Sequence, residues 1–373
     1  MLLLLLLLLV TTISSGSVIN YKLSSQEYID LLQREHSKGI WRAHNDSGLY
    51  SYRRRNLNDQ ALLTNMRIMV VCGMHAKEMV STEVCADWMT LVDSIRPHQN
   101  WSYPQLDWLF VPIANPSGRD MVSEALVKLI NTKEQGPGLC YRGNRRGTDI
   151  NRNWPNVVDI REATLRAAKK LSREGPEAQA ADYFLKGSYL RKNHGPLEEY
   201  AGVRPFSEVE TAALRDMLYE FRPHMFVVIH SGTEAILVPY NSLRDEEPRN
   251  LRSLMRVANT LKPLDCDLCR IGRGSQYLYD ANGTATDYAF EAVRVPLVYT
   301  LEVYVDAELD AAKEELTPLE CLAQFNPLKE VGLTRVLDRW RRWPEELLLN
   351  LRDEDQVFIS EILSNHSAVW PLR

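Results

Sequence analysis

Two kinds of pattern alternate along the chain: short unbroken apolar runs, and longer stretches in which apolar residues return every third or fourth position. Arg67-Ile68-Met69-Val70-Val71-Cys72-Gly73 and Asp107-Trp108-Leu109-Phe110-Val111-Pro112-Ile113 are of the first kind. Their length, with a Gly or Pro near the end of each, predicts buried strands. Between them Val80, Val84, Trp88, Leu91 and Ile95 recur at helical spacing, predicting a helix from Met79 to Ile95. Further on, Ser207-Glu208-Val209-Glu210 reads as a capping box for a helix ending near Phe221, and Met225-Phe226-Val227-Val228-Ile229-His230 as the strand that follows. Pro296-Leu297-Val298-Tyr299-Thr300-Leu301-Glu302-Val303 is a last buried strand. From Asp310 to Leu351 the pattern turns helical, with Leu347-Leu348-Leu349 on its inner face.

Near the N-terminus, Ser24-Ser25-Gln26-Glu27 leads into Tyr28-Ile29-Asp30-Leu31-Leu32, a capping-box start for an amphipathic helix. Folded structure is therefore expected almost at once, with no room for a pro-domain ahead of the first strand. From Asp159 to Tyr200 the composition shifts to Arg, Glu, Lys and Ala, with Gly175-Pro176 and Gly195-Pro196 as breakers. Too few large apolar residues fall there to fill a core, so this stretch reads as a solvated helical insertion. With no internal repeat and no linker, the expectation is one α/β domain whose mixed, mostly parallel central sheet is flanked by helices.

Composition narrows the function classes. Hydrophobic residues make up 45% of the 373 and charged residues 25%, which excludes intrinsic disorder for the bulk of the chain. The net charge of −5, with no long basic block, argues against nucleic acid as a partner. Met1, eight leucines and Val10 precede the small polar stretch Thr11 to Ser17, which reads as a signal peptide over 1–17 and places 18–373 in the secretory route, as a secreted or lumenal protein. The apolar run is too short for a stable membrane span, and no second run approaches that length. An oxidising compartment allows disulfides among the six cysteines. Cys72, inside an apolar run, is expected as a buried thiol. Sequons at Asn45, Asn100, Asn282 and Asn365 fit the same route as candidate glycosylation sites.

Chemistry enters at the carboxyl ends of the strands. His75 and Glu78 follow the first strand directly, where open α/β sheets place their ligands, and their spacing brings an imidazole and a carboxylate to one side of the turn. His230 ends another strand and adds a third donor on the same rim. A His, Glu and His set with an open position is a catalytic zinc arrangement, in which bound water turns acidic enough to act as a nucleophile near neutral pH. Glu302, a carboxylate in an otherwise apolar run, is costly to bury without a role.

Gly73-Met74-His75-Ala76-Lys77-Glu78, Asp149-Ile150-Asn151-Arg152-Asn153-Trp154-Pro155, Ile229-His230-Ser231 and Tyr299-Thr300-Leu301-Glu302 occur in the order seen in zinc carboxypeptidases. The chain thus resembles the funnelin metallocarboxypeptidase family. The resemblance implies a zinc-dependent exopeptidase acting on peptide or protein C-termini, with one zinc ion per chain on His75, Glu78 and His230, and Glu302 as general base. It also implies that Arg142 polarises the scissile carbonyl, that Asn151 and Arg152 grip the terminal carboxylate, and that Tyr279 closes over the terminal residue. Arg145, Arg146 and Tyr277 are the neighbouring competitors for those roles.

The positions that match the family's terminal side-chain pocket are Leu237, Asn241, Leu278, Ala281, Thr286 and Thr300, and none is charged. A preference for neutral terminal residues follows, unless Asp287 enters the pocket. Lys77 and Gly232 depart from common family residues, arginine and tyrosine respectively. The β-sandwich that members without a pro-domain often carry is not expected, because residues after Glu302 read as helical. A monomer is expected. The alternatives are a zinc deacylase of the aspartoacylase type and a zinc-free pseudoenzyme that binds peptides.

Overall fold

The apolar runs become the middle of one sheet. The computed structural model describes residues 20–36, 41–46, 48–54, 66–94, 106–174, 199–267, 269–312 and 316–349. Its strands are β1 (Trp41–Asp46), β2 (Leu49–Arg54), β3 (Met66–Val71), β4 (Leu106–Val111), β5 (Met225–His230), β6 (Thr233–Val238), β7 (Arg270–Arg273) and β8 (Leu297–Tyr304). They form one eight-stranded sheet in the order β1-β2-β4-β3-β5-β8-β6-β7. The central β4, β3, β5 and β8 are parallel, and antiparallel pairs join β1 to β2, β2 to β4 and β6 to β8. Every residue of β5, and all of β3 except Arg67, is buried, as expected for parallel strands covered on both faces.

The helices are α1 (Ser25–His36), α2 (Val80–Ser94), α3 (Pro116–Thr132), α4 (Val157–Glu174), α5 (Val209–Phe221), α6 (Leu251–Leu261), α7 (Gly274–Tyr277), α8 (Ala285–Glu291), α9 (Ala307–Ala312), α10 (Pro318–Phe325), α11 (Glu330–Trp340) and α12 (Arg342–Leu349). Two aromatic clusters fix the layers on the sheet. On one side Trp88 of α2 stacks on Trp343 of α12 at 6.3 Å, and Tyr299 of β8 meets Trp343 edge-on at 5.2 Å. On the other, Tyr288 of α8 packs against Trp154 and Phe206 at 5.3 and 5.2 Å and reaches Tyr219 of α5 through its hydroxyl. Each such ring buries a large apolar area, and truncating one to Ala costs about 3–5 kcal/mol.

The start of α1 forms as the sequence indicates: Glu27 Oε2 accepts from Ser24 N and Oγ at 2.9 and 2.8 Å. The box at Ser207 does not form. Glu208 is the N-cap of α5 without a side-chain cap, and Ser207 Oγ donates to Glu208 Oε1 at 2.7 Å. The displaced role falls to Asn153, whose Oδ1 accepts from Glu208 N and Thr211 Oγ1 at 3.2 and 2.6 Å. A long-range partner has outcompeted the local one. The charged stretch begins as α4, while 175–198 lies outside the described residues, as do residues 1–17 and the sequons at Asn100 and Asn365.

Four strands escape the apolar-run reading. β1, β2 and β7 lie toward the margins of the sheet and carry polar and charged positions, so their hydrophobic signal is weak. β6 follows His230 by only Ser231-Gly232 and reads in sequence as more of β5, yet it pairs with β8. After β8 the described residues hold helices and no strand, and Leu347 is buried.

Cys72 is buried but is not a thiol. It is bonded to Cys85, Cys140 to Cys321, and Cys266 to Cys269. In the first pairing Cys85 lies on α2, and its Cα is 6.4 Å from that of Cys72. Among the described residues, no helix is long and apolar enough to cross a membrane.

Candidate metal centre and substrate cleft

β3 and β5 are neighbours, but the chain leaving β3 runs to β4 on one side while the chain leaving β5 continues into β6 and β8 on the other, so a crevice opens at their carboxyl ends. His75 and Glu78 occupy the turn between β3 and α2. Gly73, with φ of +63° and the backbone of Pro112 and Ile113 against it, lets the chain turn so soon after the strand. His230 ends β5 in register with Glu302 of β8. His75 Nδ1 lies 2.7 Å from Glu78 Oε1 and His230 Nδ1 lies 2.8 Å from Glu78 Oε2. The three residues are 4, 3 and 2% exposed, and their donor atoms all lie within 4.8 Å of one another. Two imidazole nitrogens and one carboxylate converging in this way fit a zinc ion with a position left for a further ligand.

The surrounding charges suit such a set. Burial alone would push the Glu78 carboxyl up, but His75 and His230 beside it hold it below the usual carboxylate range. Burial moves His230 down, toward the neutral form that a metal needs. On the far side of His75, Nε2 faces Asp149 Oδ1 at 3.1 Å, while Arg142 Nε donates to Asp149 Oδ2 at 2.8 Å. Asp149 is thus a buried carboxylate that orients both an imidazole and a guanidinium, and its remaining capacity takes Asn151 N at 2.8 Å. Against the upward pull of burial, Arg142, His75 and Arg152 keep its carboxyl well below its ordinary range. Glu302 moves the other way: burial, and then the charge of Glu78, push its carboxyl well above the usual range.

The loop from Cys140 to Pro155 is pinned at two asparagines. Asn144 Nδ2 donates to Glu208 Oε2 at 2.8 Å, and Asn153 Nδ2 donates to the carbonyl of Ala201 at 2.7 Å. These ties aim Arg142, Asn151 and Arg152 at the crevice. Asn151 Oδ1 accepts from Ala285 N at 3.0 Å, and its amide nitrogen lies 3.3 Å from His230 Nε2. Arg152 NH2 donates to the Tyr279 hydroxyl at 2.6 Å and to Glu199 Oε1 at 3.1 Å. Tyr279 in turn donates to Glu199.

One cavity of about 250 Å³ joins these groups, lined by His75, Glu78, His230, Glu302, Arg142, Asn151, Arg152 and Tyr279 together with Leu237, Asn241, Leu278, Ala281, Thr284 and Thr300. Thr286 sits behind this wall, accepting from Asn241 Nδ2 at 2.7 Å, and Thr284 takes its place in the lining. Asp287 faces away: Asn241 N, Ser242 N and Ser242 Oγ donate to its oxygens at 2.9, 3.1 and 2.6 Å, and burial pushes its carboxyl up to about 6. The neighbouring competitors fall outside the cavity. Arg145 reaches toward Glu124 and Arg146 toward Glu208 from exposed positions, and Tyr277 packs over Gly272.

Both departures from the family pattern meet at Phe325, which also lines the cavity. A Cβ on Gly232 would lie 2.6 Å from the Phe325 ring, and φ there is +130°, so only glycine leaves this ring its place. The Lys77 ammonium lies 4.4 Å from the centroid of the same ring. Asp149 and Glu199, like the lining residues Thr284 and Phe325, were given no role by sequence reasoning. Asp149 stood inside a quoted motif, two residues before Asn151. No local pattern marks Glu199, which emerges from the charged stretch 47 positions after its partner Arg152.

A family model described as zinc carboxypeptidase matches residues 44–318. Zinc carboxypeptidase A 1 of Anopheles gambiae is 25% identical over 250 residues, covering 63% of this chain and 48% of that protein. Carboxypeptidase B2 of Mus musculus is 23% identical over 247 residues, covering 63% and 50%. The chain therefore spans about half the length of the first of these curated relatives. Among solved structures, bovine thrombin-activatable fibrinolysis inhibitor in complex with tick carboxypeptidase inhibitor superposes with a TM-score of 0.55 at 18% identity, covering 94% of this chain and 99% of that one. A crystal structure of thrombin-activatable fibrinolysis inhibitor gives 0.59 at 18% identity, covering 92% and 80%. These superpositions establish a shared fold.

Proposed function

Because the chain belongs to the zinc carboxypeptidase family, we propose that it hydrolyses the C-terminal peptide bond of peptides or proteins. The observation that carries the reading is the union, in one cavity, of a His, Glu and His donor set with the Arg152–Tyr279 pair. A metal site alone suits many hydrolases; a guanidinium and a phenol beside it suit a substrate that ends in a carboxylate.

Zinc held by His75, Glu78 and His230 would supply Lewis acidity at the scissile carbonyl. The chain's own groups then have these tasks. Arg152 and Asn151 anchor the terminal carboxylate, and Tyr279 caps it, which sets the distance from chain end to scissile bond at one residue. Glu302 takes a proton from the attacking water as the new C–O bond forms, and gives it to the amine nitrogen as the C–N bond breaks. Arg142, oriented by Asp149, donates to the carbonyl oxygen as negative charge gathers there. The uncharged wall of Leu237, Asn241, Ala281 and Thr300 suits neutral terminal side chains, because a buried cation would find no counter-charge there. The three disulfides support an oxidising, secretory setting, with 18–373 as the catalytic domain after removal of 1–17.

The test is release of one C-terminal amino acid from a synthetic peptide, abolished by a chelator and restored by zinc. Peptides ending in Phe should give a higher kcat/KM than those ending in Arg. Hydrolysis of acyl amino acids alone, or metal-independent binding without turnover, would overturn the assignment.

A further inference from the structure

Around Arg152 there is one carboxylate more than a substrate grip needs. Glu199 Oε1 lies 3.1 Å from Arg152 NH2 and accepts from the Tyr279 hydroxyl as well. Those are the two contacts that a peptide's terminal carboxylate would make with the same side chains, a charge-assisted N–H bond and a phenolic O–H bond. The position is held by the fold. Asp149 N donates to the carbonyl of Tyr200 at 2.8 Å and Asn153 Nδ2 to that of Ala201 at 2.7 Å, so the loop that carries Arg152 also fixes the backbone just after Glu199. The side chain is only 18% exposed. Although burial pulls the other way, Arg152 and Tyr279 hold its carboxyl below the ordinary range, so it carries its charge at neutral pH.

We propose that Glu199 is a specificity-determining residue that competes with the substrate's terminal carboxylate for Arg152 and Tyr279. The inference rests on the reading of Arg152 and Tyr279 as the carboxylate grip and adds what that reading lacks, a threshold. A substrate must displace a tethered anion, so ligands that offer little besides a carboxylate are excluded. Those with further contacts along the cleft are retained. A merely supporting role, in which Glu199 holds Arg152 in place for the substrate, predicts the opposite sign, because its loss would loosen the grip.

The full chain is compared with Glu199→Gln and Glu199→Ala by two measurements. One is KM and kcat on a peptide with a free C-terminus; the other is calorimetric affinity for 3-phenylpropanoate, a simple monocarboxylate. Competition requires KM to fall about tenfold, with kcat moving far less, and the monocarboxylate to bind about tenfold tighter, the scale of one charge-assisted hydrogen bond. In an Arg152→Ala background both gains must vanish, since competitor and ligand share that guanidinium. Unchanged or weaker monocarboxylate binding in both Glu199 variants overturns the proposal. If the wild-type chain releases no residue from any peptide while Glu199→Gln still tightens monocarboxylate binding, the exopeptidase reading falls and the competition stands.

Discussion

The proposed metal rim and the proposed carboxylate grip lie in one cavity but are built on different principles. His75, Glu78 and His230 sit at or directly after the ends of two buried parallel strands. Their charges are settled within the set and by Asp149 behind it. Arg152, Glu199 and Tyr279 come from three loops, separated by up to 127 positions, and are hydrogen-bonded to one another. The rim is preorganised by the sheet, so its geometry is available before any substrate arrives. The grip closes on itself, and a ligand must reopen it. One cavity therefore combines a rigid chemical half with a half that responds to what enters.

The sharpest way to break this division is to remove function from the rigid half without touching its donors. Glu302→Gln should retain zinc while turnover falls by ~10²–10⁴, because an amide cannot accept the proton from water. Metal content and kcat measured on the same preparation decide it, and a zinc-loaded variant at wild-type rate would exclude Glu302 as the base. On the responsive side, Arg152→Ala should lower kcat/KM by about 100-fold on peptides with a free terminal carboxylate. Amidated peptides should change far less. Equal losses on both would reduce Arg152 to a structural role.

The same division governs what the sequence made legible. β3, β4, β5 and β8 could be read because a strand covered on both faces is apolar throughout, and the candidate ligands stand out as polar residues at the end of β5 or shortly after β3. His75 and Glu78 are three residues apart, and Glu302 is a lone carboxylate in an apolar run. The margin strands β1, β2 and β7 were not legible, since polar and charged residues interrupt any apolar run in them. Cys72 was misread for a related reason: an apolar run indicates burial but not which buried neighbour lies across from it. Glu199 had no local signal at all. Its significance comes only from tertiary contact with Arg152, and it lies at the edge of a stretch whose composition reads as solvent-facing.

Asp149 offers a finer test of how far the rigidity of the rim depends on what stands behind it. Asp149→Asn keeps the size of the side chain and an oxygen for His75 Nε2 but removes the charge that fixes His75 and Arg142 together. Losses of metal-supporting carboxylates of this kind cost about 10–100-fold in affinity. Competition against a zinc-binding dye should show that drop, with the thermal transition of the metal-free protein little moved. Unchanged zinc affinity would mean that Glu78 alone orients His75.

The smallest expected effect asks whether compensated charge belongs to the rim itself or to any buried carboxylate nearby. Glu83 lies five residues beyond Glu78, on α2, and is also buried. No histidine pair faces it. Arg119 of α3, Tyr28 of α1, Asn20 and Glu35 surround it, and burial outweighs the stabilising contacts, pushing its carboxyl up to about 7 from an ordinary 4.5. A raised folded-state value means that the folded protein holds this proton more tightly than the unfolded chain does. The contribution to stability is therefore complete below about 4.5 and is lost as pH rises through about 7. Glu83→Gln, which keeps the neutral form at every pH, should match the wild-type melting temperature near about pH 5 and exceed it by about 2–4 °C near about pH 8. Thermal melts of both proteins across that range are sufficient. A difference that stays constant with pH would show that Arg119 compensates Glu83 as fully as the two histidines compensate Glu78, and the contrast between rim and surroundings would then lie in metal affinity alone.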